Sequence, residues 1–232
     1  MKAKFLILFT GIILLSASTS QSFSQSFGGV GFFKPGFQTM QFDQLNSHLP
    51  TSGPQISNRP FTTAGAGYGV MSNIVIGGEG GSVHAGSFTK GDQQIDLAGG
   101  FGFFSLGYIV VNKKKVIIYP LVSIGGNDLQ IYIHQKGQSS SFTNVSGEPF
   151  QATTINLSTK ILKFSVSGLY ALQGNSDKGA AGLMIGLEAG YQVGYKTGKW
   201  SYDNGDITGA PDFNSNAFFV QLMIGGGGIM RK

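Results

Sequence analysis

Three histidines, His48, His84 and His134, are the side chains best suited to proton transfer near neutral pH, and the chain has no Cys to supply thiolate chemistry. Ser87, His84 and Asp92 flank one predicted loop, so a hydroxyl nucleophile, a base and an orienting acid lie close in sequence, as acyl transfer or hydrolysis at a lipid would require. Their spacing follows no diagnostic pattern. The histidines read more simply as surface residues at strand ends and in loops, and no catalytic residue is assigned. Asp203, Asn204 and Asp206 around Gly205 match part of a calcium loop but lack its closing Glu, which favours a turn; no metal site or cofactor is expected. No G-x-G-x-x-G or Walker-type run occurs, so GGEGG at 77–81 and GGGG at 225–228 read as close-packed or curved strand rather than a phosphate cradle.

The remaining candidates are buried charges, and one stretch predicts their orientation. From Ala181 to Lys196, the odd positions are Ala, Leu, Ile, Leu, Ala, Tyr, Val and Tyr, while the even ones alternate Gly with Met184, Glu188, Gln192 and Lys196. A strand with this period of two places its odd side chains in hydrocarbon and its even ones in a closed, polar-tolerant interior. Glu188 and Gln192 then point inward, as do Glu79 and Lys163 on their own strands. Charges in such a place require partners, which predicts an internal ionic and hydrogen-bonded network of Glu79, Lys163, Glu188 and Gln192. The inward glycines of this strand make room for bulky neighbours such as Phe219 and Met223.

Composition agrees with a lipid-facing barrel: of 232 residues 37 are Gly and 19 Phe, and only 12% are charged. Lys2 and Lys4, the apolar run Phe5 to Leu15 and the small polar residues to Ser24 predict a signal peptide over 1–24, with the barrel domain over 25–232. No later run of 18 apolar residues exists to form a membrane helix. Without Lys2 and Lys4, 14 of the 16 basic residues remain against 11 acidic ones. That net +3 gives no nucleic-acid signature.

Eight strands are predicted, at about 27–38, 61–71, 74–87, 95–111, 116–134, 155–172, 181–196 and 216–230. Ser72-Asn73 makes a tight hairpin. Phe42, Leu45 and Leu49 share helical spacing, so the loop at 39–60 either packs a short amphipathic turn over the barrel mouth or is irregular. In the fifth strand, Val116, Ile118, Val122 and Ile124 share one parity and Leu129, Ile131 and Ile133 the other, which predicts a β-bulge at Gly125-Gly126. Connections alternate in length, which puts both termini on the periplasmic side and the loops near 39–60, 135–154 and 197–215 outside. Trp200 and Tyr202, in the last of these, are candidates for an external contact surface, or for anchoring at the membrane interface.

The signal peptide, the alternating GLMIGLEAGYQVGY and FFVQLMIGGG segments and the loop pattern resemble small porin-like outer-membrane β-barrel proteins of the Bacteroidetes type. The resemblance implies insertion into the outer membrane by the barrel assembly machinery and does not choose a function; outer-membrane lipid is an expected partner, and any extracellular ligand or protein partner stays unidentified. The expected fold is therefore all-β, a single antiparallel up-and-down transmembrane barrel. Eight strands enclose no open channel. The expected function is a structural or binding role through the outward loops, with the interior plugged by side chains. Alternatives are an outer-membrane lipid-modifying enzyme and a soluble periplasmic barrel holding an apolar ligand.

Overall fold

A computed structural model describes residues 25–48, 55–90, 93–113, 115–135, 153–172, 179–202 and 205–231. The segment 1–24, Leu49, Asp92, most of the loop at 135–154, and Asp203 and Asn204 lie outside the described residues.

Among these residues the strands are β1 (Ser26–Gln38), β2 (Phe61–Met71), β3 (Ile74–Lys90), β4 (Gln93–Tyr108), β5 (Val111–Lys113), β6 (Val116–Gln135), β7 (Thr153–Ala171), β8 (Gly179–Thr197), β9 (Ser201–Tyr202), β10 (Gly205–Asp206) and β11 (Ala217–Arg231), with a helix, α1 (Asp43–His48). Eight of them close into a ring in the order β1, β2, β3, β4, β6, β7, β8, β11, with β11 returning to β1. Every pairing is antiparallel. β5 continues the edge of β4 along β6, and β9 and β10 add to the upper end of β7. The ring is staggered. Followed one way from Phe37, the register passes Phe61, His84, Ala98 and Gln130 to Asn156; followed the other way it passes Val220 and Ala189 to Val166, ten residues further along β7. Such an offset tilts the strands and fixes the barrel's width.

Alternation assigns the faces. In β8, Met184, Glu188 and Gln192 are buried while Leu183, Ile185, Leu187 and Tyr195 are exposed. Around the ring, Phe33, Phe104, Leu106, Val122, Ile124, Val166, Phe218 and Val220 are likewise exposed. A continuous belt of outward apolar side chains on a closed sheet is the surface of a transmembrane barrel.

The bulge expected at Gly125-Gly126 is absent. Both Gly125 and Gly126 pair in unbroken register with β4 and with β7, and odd residues face inward along β6 from Ile117 to Ile131. What changes is the medium outside. Low on β6, Val122 and Ile124 face lipid; higher up, the outward Asp128, Gln130 and Tyr132 require water, and Leu129 and Ile131 fill the interior instead. β4 and β7 switch likewise, with Asp96 outward beside Ile95 and Leu97 inward, and Ser158 outward beside Leu157 inward. Three adjacent strands thus leave the bilayer and continue as a projecting wall. The β3–β4 connection, expected as a loop over about 87–94, is instead a longer hairpin paired as far as Lys90 with Gln93.

Ser72 and Asn73 both have positive φ, 50° and 69°, the geometry of a two-residue hairpin turn. Asn73 tolerates it and uses its side chain as well. Its Oδ1 accepts from Ser26 N at 2.9 Å, and its carbonyl accepts from Ile109 N at 2.8 Å, tying three strands at the barrel's base. Asn73→Ala removes the Ser26 acceptor and places a less tolerant residue at positive φ. A loss of about 1–3 kcal/mol is expected, read as a lower temperature at which the compact band on unboiled gels disappears. An unchanged temperature would refute this role.

Candidate functional site

The interior is layered. At the base, Val30, Phe32, Tyr68, Tyr119, Leu121, Met184, Met223 and Ile229 form one apolar cluster. At the mouth, Val83, Leu97, Leu129 and Leu157 form a second with Met40, Phe42, Leu45 and Ile56 from the first long loop and α1, and with Trp200 and Phe213 from the last. The amphipathic turn therefore folds onto the barrel mouth. Asn46 holds it there, exchanging hydrogen bonds with the backbone of Ile56 at 2.8 and 3.0 Å.

Between the two clusters lie four buried charges from four strands. Lys34 of β1 donates to Glu79 of β3 and to Glu188 of β8, at 2.7 Å for the latter. Lys163 of β7 donates to the other oxygen of Glu79 and lies 2.9 Å from Glu188 Oε1. The contacts form a closed ring of alternating sign, Lys34, Glu79, Lys163, Glu188. Ser167 Oγ adds a hydrogen bond to Glu188 at 3.2 Å, and the Lys163 ammonium lies 4.3 Å from the Phe219 ring centroid. Two cations balance two anions, so the ring is neutral as a whole. The arrangement pins strands together.

Glu79, Lys163 and Glu188, named from the sequence, all sit in this ring. Gln192 is buried nearby but bonds Ser215 O at 3.2 Å instead. Lys34 was missed beside Pro35, although it lies between the outward Phe33 and Phe37 and a third inward charge left two glutamates with one lysine. Phe219 does occupy the room left by Gly190, where an added Cβ would come within 2.8 Å of its ring.

Lys196, placed inward by parity, faces outward. β8 carries an extra residue, Tyr195, opposite the Lys160/Ile161 step of β7; this bulge turns Lys196 to the exterior opposite Lys160. Trp200 also departs from expectation. It is buried in the cap, donating from Nε1 to Pro211 O at 2.8 Å and packing edge-on to Phe213, because a large apolar ring over the barrel mouth is better hidden than exposed. Tyr202 is exposed on β9. Beside it, Lys199 donates to Asp206 at 2.6 Å, and the carboxylate holds the lysine above its usual pKa.

A cavity of about 20 Å³ lies above the charge ring, lined by Gln38, Thr62, Asn127, Gln192 and Gln221 among others. It has space for a water molecule rather than an apolar ligand. Among the described residues no group of His, Cys, Asp and Glu is placed to hold a metal. Of the set Ser87, His84 and Asp92, the acid lies outside the described residues. His84 Nε2 lies 2.9 Å from Ser82 Oγ, which is 3.0 Å from Thr63 Oγ1, all on the outer face.

No family model and no curated protein matches the chain. Among solved structures, a major outer membrane protein from Thermus thermophilus is similar at 13% identity over 89% of this chain and 99% of its own, with a TM-score of 0.49. Ail, the attachment invasion locus protein of Yersinia pestis, in complex with a heparin analogue, is similar at 12% identity over 89% and 98%, with a TM-score of 0.41. The outer membrane protease OmpT of Escherichia coli is similar at 9% identity over 90% and 95%, with a TM-score of 0.34.

Proposed function

We propose that this protein is an outer-membrane barrel that presents its capped mouth and projecting wall to the exterior, in a structural or binding role, and conducts nothing. The observation that carries this reading is the filled interior. Two apolar clusters close a charge ring from both sides, while α1, β9 and β10 build an ordered surface above. Insertion by the barrel assembly machinery and an extracellular protein or ligand as partner belong to the same proposal. The exposed apolar belt argues against the soluble alternative, and the buried side chains of the two interior clusters argue against an apolar cargo.

The chain has no Cys, so Tyr202→Cys and Lys113→Cys each introduce a single labelling site. A membrane-impermeant maleimide should label Tyr202→Cys on intact cells, and Lys113→Cys only after the outer membrane is opened. The reverse pattern would overturn the orientation, and equal labelling in the soluble periplasm would overturn the membrane. Ion conductance by the purified chain in planar bilayers would overturn the plugged interior.

One observation favours the enzymatic alternative, the Ser82–His84 contact on the outer face. A hydroxyl hydrogen-bonded to an imidazole is the start of a nucleophilic site at a lipid ester. Loss of a lipid-hydrolysing activity in Ser82→Ala would establish it, and the absence of that activity in the unaltered protein would dismiss it.

A further inference from the structure

Lys160 and Lys196 stand directly opposite each other on β7 and β8, both exposed. Side chains so paired start only about 5 Å apart at their Cβ atoms, and like charges there repel. Among the described residues neither lysine forms an ion pair; the acidic group on the adjoining strand, Asp128, lies in the next outward row, opposite Ser158. The pairing is not a by-product of regular alternation. Without the bulge at Tyr195, parity would turn Lys196 into the barrel; with it, Tyr195 and Lys196 both face out.

The height of this pair is informative. It sits where β6 and β7 exchange outward apolar residues for outward polar ones, directly above Leu162, opposite Val193, and at the upper limit of the belt containing Ile124. That level is the headgroup region of the outer leaflet. On the β6 side, Lys160 is opposite Gly126, which has no side chain to block access.

We propose that Lys160 and Lys196 bind the phosphate of a phosphorylated outer-leaflet lipid, with Tyr195 beside the headgroup and the acyl chains lying over Ile124, Leu162 and Val193. A phosphate placed between the two ammonium groups converts their repulsion into two charge-assisted contacts. The apolar surface below selects a lipid over free phosphate. The site rests on the membrane reading above.

The test is native mass spectrometry of the full chain in non-ionic detergent, with phosphatidic acid as probe, diacylglycerol of the same chains as its phosphate-free counterpart and inorganic phosphate as competitor. The unaltered protein should retain phosphatidic acid and not diacylglycerol, and excess inorganic phosphate should not displace it. Lys160→Gln with Lys196→Gln should weaken retention about tenfold or more, while Lys113→Gln with Lys115→Gln, at the opposite rim, should leave it unchanged. Compact mobility on unboiled gels verifies folding, and Lys160→Arg with Lys196→Arg should restore binding. Undiminished retention by the double Gln variant overturns the site, and displacement by inorganic phosphate overturns its assignment to a lipid. A chain that leaves cells without detergent defeats the membrane reading itself, whereas a detergent-requiring chain that binds regardless of the two lysines defeats this inference alone.

Discussion

Lys34→Met should lower the unfolding free energy by about 3–5 kcal/mol, because it leaves Glu79 and Glu188 sharing a single cation in a buried ring. Methionine matches the length of the lysine stem, so the loss reports charge rather than volume. Lys34→Met combined with Glu188→Leu restores neutrality, leaving Glu79 paired with Lys163, and should recover most of that stability. Urea unfolding in detergent micelles reads both effects. A single variant within about 1 kcal/mol of the unaltered protein, well short of the cost of a stranded buried charge, would show that water reaches the ring and that the interior is not sealed.

The second large effect concerns the seam between the first and last strands. A Cβ at Gly225 would lie 1.9 Å from the carbonyl oxygen of Gly31 and 2.8 Å from Phe32 Cα, both backbone atoms. No rotamer change relieves such a clash; β1 and β11 must part. Gly225→Val should therefore prevent closure, at a cost on the order of 3–5 kcal/mol, and yield no compact band on unboiled gels. Gly67→Val provides the comparison. That glycine faces outward with nothing within 4 Å of an added Cβ, and a β-branched residue suits an exposed strand position in lipid. It should fold like the unaltered chain. Equal behaviour of the two variants would refute the assignment of inward and outward glycines.

Much of this was legible because lipid imposes alternation. The hydrocarbon-facing residues of β8 and the turn at Ser72-Asn73 are local patterns, and both have the predicted form. The misreadings occurred where local pattern and environment separate. At Gly125-Gly126 the apolar parity changes because the strand passes from lipid to water, not because the backbone slips. At Lys196 the reverse holds: the backbone slips through a bulge that leaves no mark in composition. Lys34 adjoins Pro35, which fits a strand end or an irregularity; Pro35 pairs with Thr63 of β2 and points outward, while the ladder to β11 skips from Phe33 to Gly36. Residue type alone suggests an exposed Trp200; its burial comes from packing on Phe213, which in turn packs on Phe42 from the distant first loop.

The return of β11 to β1 has a temporal consequence. Ser26 pairs with Arg231, 205 residues later, so the barrel's β1 waits for β11 before the hydrogen bonds of that edge are met. Until then two unsatisfied edges exist, and in hydrocarbon each open N–H and C=O is costly. Contacts this distant in sequence also make intrinsically slow folding steps. Assembly should therefore be all-or-none, with chains truncated before Ala217 accumulating as protease-sensitive material rather than as smaller barrels. For this protein, quality control amounts to whether the final hairpin arrives.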